Sequence, residues 1–305
     1  MDRLRLMCWC RSCVSGLHLP AYAAADRGVF ADHGIDLEFV DCVSTPGGSL
    51  LAWSAMVRAV AEGEADFALT SVAYLLAGQA AARGNLAARF VAVFHQHNPI
   101  AALVACDSEL RSQADLTGPR VAATGSWFVR ELDGALAHLG LAPSTPVEAP
   151  RDVRAALAAG HIDLIPAWVD MPPSYSRKGL EIRAIPLEVD APYATGLLAA
   201  DRLPLELVSR MREALAAAYH LQREHPEFGI DALRRRSPGI SVNHLSTAWS
   251  AFEPYAFGGS EPLAMDAERW QRTIDYTTAT HGLPRLPAEQ VFRPEFVAPA
   301  TFAPA

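Results

Sequence analysis

The sequence predicts an α/β protein of two lobes built on one plan, each a Rossmann-like unit around a mixed, mostly parallel sheet. Three observations carry this. The first hundred residues alternate strand and helix patterns. A ten-residue segment recurs 97 positions later. The 305 residues suit two domains of roughly 150 each.

Arg3 to Cys10 reads as the first strand from its alternation of polar and apolar residues, and Leu19 to Ala31 as a helix ending at the turn His33-Gly34. Asp36 to Val43 is the second strand, with Leu37, Phe39 and Val43 on one face. The loop Ser44-Thr45-Pro46-Gly47-Gly48 leads to a helix ending at Ala61, then a strand from Asp66 to Leu69 and a helix opening at Thr70. This βαβαβα order calls for parallel strands covered by helices. The repeat pairs Ala59-Val-Ala-Glu-Gly63-Glu-Ala-Asp66-Phe-Ala with Ala156-Leu-Ala-Ala-Gly160-His-Ile-Asp163-Leu-Ile. Each copy is a helix stopped by glycine, a turn carrying aspartate, and a buried strand.

A strand from Val91 to Phe94 hands over past Asn98-Pro99 to Ala101 through Cys106. Leu116 to Arg120 leads into a strand from Val121 to Ala123. A helix from Trp127 to Leu139 and a strand from Leu164 to Ala167 follow, and the chain crosses back between Ala191 and Leu198. The lobes are therefore expected to be residues 1–98 with 196–305, and residues 99–195, with a ligand cleft between them. Amphipathic helices run from Pro204, and the tail from Pro294 to Ala305 is expected to wrap the first lobe.

With 26 basic against 34 acidic residues the net charge is −8, and the only basic run, Arg234 to Arg236, suits a solvated helix end. Nucleic acid is not an expected partner. No apolar stretch approaches the roughly 20 residues of a membrane span. Met1 to Met7 lacks a secretory leader's apolar core, so a cytoplasmic location is expected if Met1 is the true start, and a periplasmic one if a leader precedes it. Cys8, Cys10, Cys13, Cys42 and Cys106 are an odd set, and Cys8 and Cys10 are too close for an unstrained bridge, which favours a reducing compartment. Cys10-Arg-Ser-Cys13 stands alone as a CxxC, so no metal and no cofactor are expected. His95 and His97 alternate along one strand face; hinge hydrogen bonding is the expected role over metal binding.

An ordered set of motifs, His18-Leu-Pro20 through Gly28, Phe30, Gly34 and Asp36, then Gly63-Glu-Ala-Asp66, Asp115-Leu-Thr-Gly118 and Gly160-His-Ile-Asp163, resembles the nitrate, sulfonate, taurine and thiamine-pyrimidine binding-protein family. The resemblance spans about residues 3 to 295. It implies a type II periplasmic-binding-protein fold, a Venus flytrap that clamps a small anionic or heteroaromatic ligand, sulfonate-like or pyrimidine-like. An ABC permease and ATPase are the implied partners, and a monomer the expected state.

Ligands of open α/β sheets sit at the carboxyl ends of strands against helix amino termini. The candidate ligand residues are accordingly Trp9, Cys10 and His18 after the first strand, Thr45 in the next loop, Thr70 and Ser71 at one helix start, and Thr124, Gly125 and Ser126 at another. Trp168 is placed to face Trp9 across a planar ligand; Asp170 lies just beyond Trp168, and Asp190 and Tyr193 near the return crossing, so that a carboxylate is expected beside a ligand amine. N-capping or core packing is the competing role for each. Two enzymes resemble this scaffold. In the thiamine-pyrimidine synthase pattern the positions of the cofactor lysine and a histidine read Thr70 and Tyr74 here, and Lys178 is the one lysine of the chain. A Schiff base needs an amine, so that reading is disfavoured. A desulfinase would use a cysteine after strand one, making Cys10, Cys13 and His18 the catalytic candidates. Binding without catalysis is the preferred expectation.

Overall fold

A computed structural model describes residues 1–8, 15–42, 54–122, 127–148, 152–175, 181–189, 193–258 and 261–297. Its strands are β1 (Asp2–Cys8), β2 (Ile35–Asp41), β3 (Phe67–Ser71), β4 (Ala88–Val93), β5 (Ile100–Ala105), β6 (Arg120–Ala122), β7 (Thr145–Val147), β8 (Ile165–Trp168), β9 (Ile182–Pro186) and β10 (Thr195–Ala200). They form one five-stranded sheet, β2-β1-β3-β10-β4, a three-stranded sheet, β8-β5-β9, and the pair β6-β7.

The βαβαβ start of the chain behaves as its pattern demands. β1 runs parallel to both β2 and β3, so that Leu6 sits beside Phe39 on one side and Phe67 on the other. Leu6 and Phe67 are fully buried, and burying a side chain of this size contributes roughly 1.5–3 kcal/mol. The antiparallel pairings come from the chain's crossings. β10 returns between β3 and β4 antiparallel to both, and β5, entered from the outward crossing, is antiparallel to β8 and β9. The helix expected from Leu19 to Ala31 is two helices, Leu19–Asp26 and Val29–Asp32, broken where Gly28 takes a left-handed conformation (φ 80°).

Both copies of the repeat fold alike. Gly63 and Gly160 are left-handed at their helix ends (φ 89° and 68°), and the following N–H closes the same turn: Glu64 onto the Ala59 carbonyl at 2.8 Å, His161 onto the Ala156 carbonyl at 2.9 Å. Each aspartate then ties its strand to the neighbouring one. Asp66 accepts from the Arg5 N–H at 2.9 Å and Asp163 from the Arg120 N–H at 2.6 Å. The Asp66 and Asp163 N–H groups donate to the carbonyls of the same two arginines at 3.0 and 2.8 Å.

Of the C-terminal helices, Leu205–Glu224 packs on Leu19–Asp26 and β4, Pro226–Arg236 on Leu19–Asp26, Val242–Phe257 on the turn Gly16–His18, and Ala267–His281 on the helices Trp127–His138 and Val72–Ala81. Trp270, fully buried, lies between Phe90 and Phe292 at 5.5 and 5.3 Å. The chain after residue 290 runs beside the β4 edge, with the Phe90 N–H donating to Val291 and the Arg293 N–H to Phe90. Residues 298–305 of the expected wrapping tail lie outside the described residues. The basic run is not simply solvated: Arg235 and Arg236 both pair with Asp26, holding the helix Pro226–Arg236 on Leu19–Asp26. Among the described residues no helix is long and apolar enough to cross a membrane.

Candidate functional site

The carboxyl ends of β3 and β8 lie against residues 94–99 and 193–195: Ser71 pairs with Thr195, the Phe94 N–H donates to the Thr195 carbonyl, and the Val169 N–H donates to the Pro99 carbonyl. The helix expected to open at Thr70 begins two residues later, at Val72, because Thr70 and Ser71 still pair with Gly196 and Thr195 of β10. Thr70 is therefore a strand residue, fully buried, with no hydrogen-bond partner for its hydroxyl. Ser71 caps the helix Val72–Ala81, accepting from the Ala73 N–H at 3.3 Å. It also lines a cavity of about 10 Å³, room for one small polar molecule such as water, with Asn98, Trp127, Glu131, Tyr193 and Tyr276.

His18 ends the short turn Gly16–His18. It is 1% exposed, neither ring nitrogen has a hydrogen-bond partner among the described residues, and burial pushes its pKa down to about 4. The imidazole is neutral near pH 7 and can offer one donor and one acceptor, but no positive charge. The same turn is held by Asp170, which accepts from the Ser15 hydroxyl at 2.7 Å and the Gly16 N–H at 3.0 Å through one oxygen. Its other oxygen is buried without a partner, and desolvation raises its pKa against the pull of those two bonds. Asp170 was expected beside a ligand amine. It instead spans from the end of β8 to the turn after β1, spending one oxygen on the protein.

Trp168 is 3% exposed, with the rings of His95, Phe128 and Trp127 at 5.4, 5.8 and 6.0 Å, a core placement and not an open platform for a planar ligand. Tyr193 is likewise committed to the protein. Its hydroxyl accepts from the Asp266 N–H at 2.9 Å, and its ring meets Trp270 at 5.2 Å and the Arg269 guanidinium at 4.7 Å. Trp9, Cys10, Cys13, Thr45, Thr124, Gly125 and Ser126 lie outside the described residues.

Two groups enter the site that strand-end reasoning did not select for ligand contact. His95, read from sequence as a hinge residue, bonds through Nδ1 to the Thr195 hydroxyl; its Nε2 is buried and unpartnered, and burial lowers its pKa to about 3. It does not share a strand face with His97, because β4 ends at Val93; His97 is exposed while His95 is 1% exposed. The other group is a hydrogen-bonded cluster centred on Glu131. Glu131 accepts from Asn98 at 3.2 Å and lies 2.7 Å from His281 Nε2, joining the helix Trp127–His138 to Ala267–His281. Glu131 carries no sequence signal beyond its place on an amphipathic helix.

Among the described residues no three His, Cys, Asp or Glu side chains are placed to hold a metal. Cys8 is buried with its thiol pushed up to about 12 by desolvation, the reverse of what a nucleophile needs. At the positions compared with the cofactor enzyme, Thr70 and Tyr74 are both buried and neither supplies an amine.

A family model described as NMT1/THI5 like matches residues 16–228. Among solved structures, the alkanesulfonate-binding protein SsuA from Xanthomonas axonopodis pv. citri bound to MOPS is 22% identical, with 96% of this chain and 99% of that one covered and a TM-score of 0.68. The periplasmic aliphatic sulphonate binding protein SsuA from Escherichia coli is 18% identical over 96% and 97%, with a TM-score of 0.71. A cysteine-to-serine mutant of DszB in complex with biphenyl-2-sulfinic acid is 17% identical over 97% of both chains, with a TM-score of 0.59. No curated protein sequence matches the chain. At such identities structural likeness speaks for the fold, which is that of the periplasmic binding proteins. With a family model covering most of its length and the expected mixed α/β architecture in place, the chain belongs to the NMT1/THI5-like family.

Proposed function

We propose that this chain is a solute-binding protein whose two lobes, residues 1–98 with 196–305 and residues 99–195, close on a small anionic or heteroaromatic ligand and deliver it to an ABC importer at the periplasmic face of the membrane. One observation carries the reading. Around the ends of β1, β3 and β8, buried polar atoms stand without partners: both ring nitrogens of His18, the Thr70 hydroxyl, His95 Nε2 and one Asp170 oxygen. They form a connected set. The turn ending at His18 is bonded to Asp170, Asp170 follows Trp168, Trp168 packs on His95, and His95 bonds Thr195 on the strand that pairs with Thr70. Buried polar groups are almost always satisfied, and a cluster of exceptions at strand ends is what a recognition site needs. The fold it shares with proteins described as sulfonate-binding supports the same reading.

Binding is favoured over catalysis because the described site offers two uncharged imidazoles, a hydroxyl and a carboxyl group already bonded to the protein, with no activated nucleophile among the described residues. The test is a thermal-shift and calorimetric screen of wild-type protein across taurine, alkanesulfonates, nitrate, aromatic sulfinates and pyrimidines, with product analysis by mass spectrometry. Saturable binding without turnover, lost in Thr70→Val, is expected. Turnover of any bound compound, abolished by Cys10→Ser or Cys13→Ser, would overturn the reading in favour of an enzyme.

A further inference from the structure

His95 and Thr195 carry chemical information beyond their burial. The Thr195 hydroxyl is fully buried, and His95 Nδ1 is its hydrogen-bond partner among the described residues. A hydroxyl has a single proton to donate, and in a buried place with one available partner that proton goes to the partner. Nδ1 must then be the accepting, unprotonated nitrogen. The ring is held neutral by its burial between Trp168 at 5.4 Å and Phe252 at 4.9 Å, so its one proton sits on Nε2. That N–H is buried and has no acceptor among the described residues.

Both residues belong to the crossings: His95 follows β4 on the outward segment, and Thr195 opens β10 on the return. The donor therefore sits where the two lobes meet, and its direction is set by a bond between the two crossing segments. Phe252 fixes the ring from the other side. Its Cβ lies so close to Gly16 that an added methyl there would stand 2.5 Å away, which keeps the imidazole and the His18 turn in one packed unit.

Resting on the solute-binding reading, we infer that His95 is a specificity-determining residue of the cleft, locked by Thr195 as the Nε2–H tautomer so that it donates to an acceptor atom of the ligand. A sulfonate oxygen and an unprotonated ring nitrogen are both such acceptors, and a ligand offering only N–H or O–H donors at this point is excluded. Thr195 is a positioning residue, since it acts on the ligand through the imidazole.

Two measurements on the full chain test this. In the ligand-free protein, nitrogen-15 NMR of the imidazoles should show His95 with Nε2 protonated and Nδ1 accepting, and Thr195→Val should leave a mixture of tautomers; an Nδ1–H ring in the wild type overturns the assignment. Calorimetry with MOPS and with 4-aminopyrimidine as probes then reads the role. His95→Phe should raise Kd about ten- to a hundredfold for whichever probe binds, the effect of losing one buried hydrogen bond. His95→Gln, which can place an amide N–H near Nε2, should recover most of that loss, and Thr195→Val should weaken binding less than His95→Phe. Undiminished binding by His95→Phe overturns the role of His95 and leaves the clamp standing. Failure of wild type to bind either probe overturns the clamp reading for these ligands and the role of His95 with it.

Discussion

The two copies of the repeat share one scaffold and end in different chemistry. In each, a left-handed glycine stops a helix, an aspartate bonds the N–H of a neighbouring strand, and a buried strand runs toward the cleft. The first strand delivers Thr70 and Ser71, a free hydroxyl and a helix cap. The second delivers Trp168 and Asp170, a packed ring and a carboxylate that reaches across to Ser15 and Gly16. The repeated part is the part that holds strands together, where the backbone's needs are the same in both lobes. The variable part begins where the strands end, and there the two copies present different side chains.

Acid should separate the cleft from the scaffold most strongly. His18 and His95 have values pushed to about 4 and about 3 by burial, below the ordinary 6.5, whereas the repeat turns hold no buried histidine. Such a base takes up its proton on unfolding, so its contribution is fully present above about pH 6.5 and is lost as pH falls toward the folded values. Thermal unfolding followed from pH 7 to pH 4 should show a loss on the order of several kcal/mol. The pH slope should be reduced in His18→Gln and in His95→Gln, and unchanged in a repeat variant that removes no titrating group, such as Gly160→Ala.

The paired aspartates come next. Asp66 is more deeply placed and also accepts from Arg202 at 2.7 Å, while Asp163 shares its second oxygen with Arg120 at the surface. Asp66→Ala should cost about 3 kcal/mol and Asp163→Ala about 1 kcal/mol in chemical denaturation, the difference reflecting how far each orphaned strand N–H is from water. Equal losses would mean that the two lobes share their turn energetics as well as their geometry. Asp170→Ala should cost about 1–2 kcal/mol by leaving Ser15 and Gly16 without their acceptor, and should slow ligand association or weaken affinity where Asp163→Ala does neither. Smallest are Gly63→Ala and Gly160→Ala, each about 1 kcal/mol for placing a side chain at positive φ, with no steric clash at either position.

Much of the scaffold is legible in the chain. The strand alternation of β1 and the glycine and aspartate of the repeat are local or periodic signals, and they appear within one to three residues of their expected places. The helix start after β3 was displaced because Thr70 and Ser71 are claimed by β10, a strand 125 positions further on whose pairing no local pattern announces. Of the candidate site residues, Asp170 is bonded to the turn that ends at His18, and His18, Thr70 and Asp170 each keep a buried polar atom without a partner among the described residues, whereas Trp168 and Tyr193 pack against rings from other elements. An aromatic residue at a strand end reads the same in sequence whether it faces a ligand or a core.

By itself the sequence determined that two similar α/β units follow one another, which family they belong to, and which loops meet at the strand ends. Only the tertiary structure decided which polar groups there are already spent. His95 finds Thr195 at a separation of 100 residues, Glu131 finds His281 at 150, and Ser15 finds Asp170 at 155. A hydrogen bond is made between neighbours in space, so whether a donor is satisfied or left for a ligand depends on partners that chain order does not reveal.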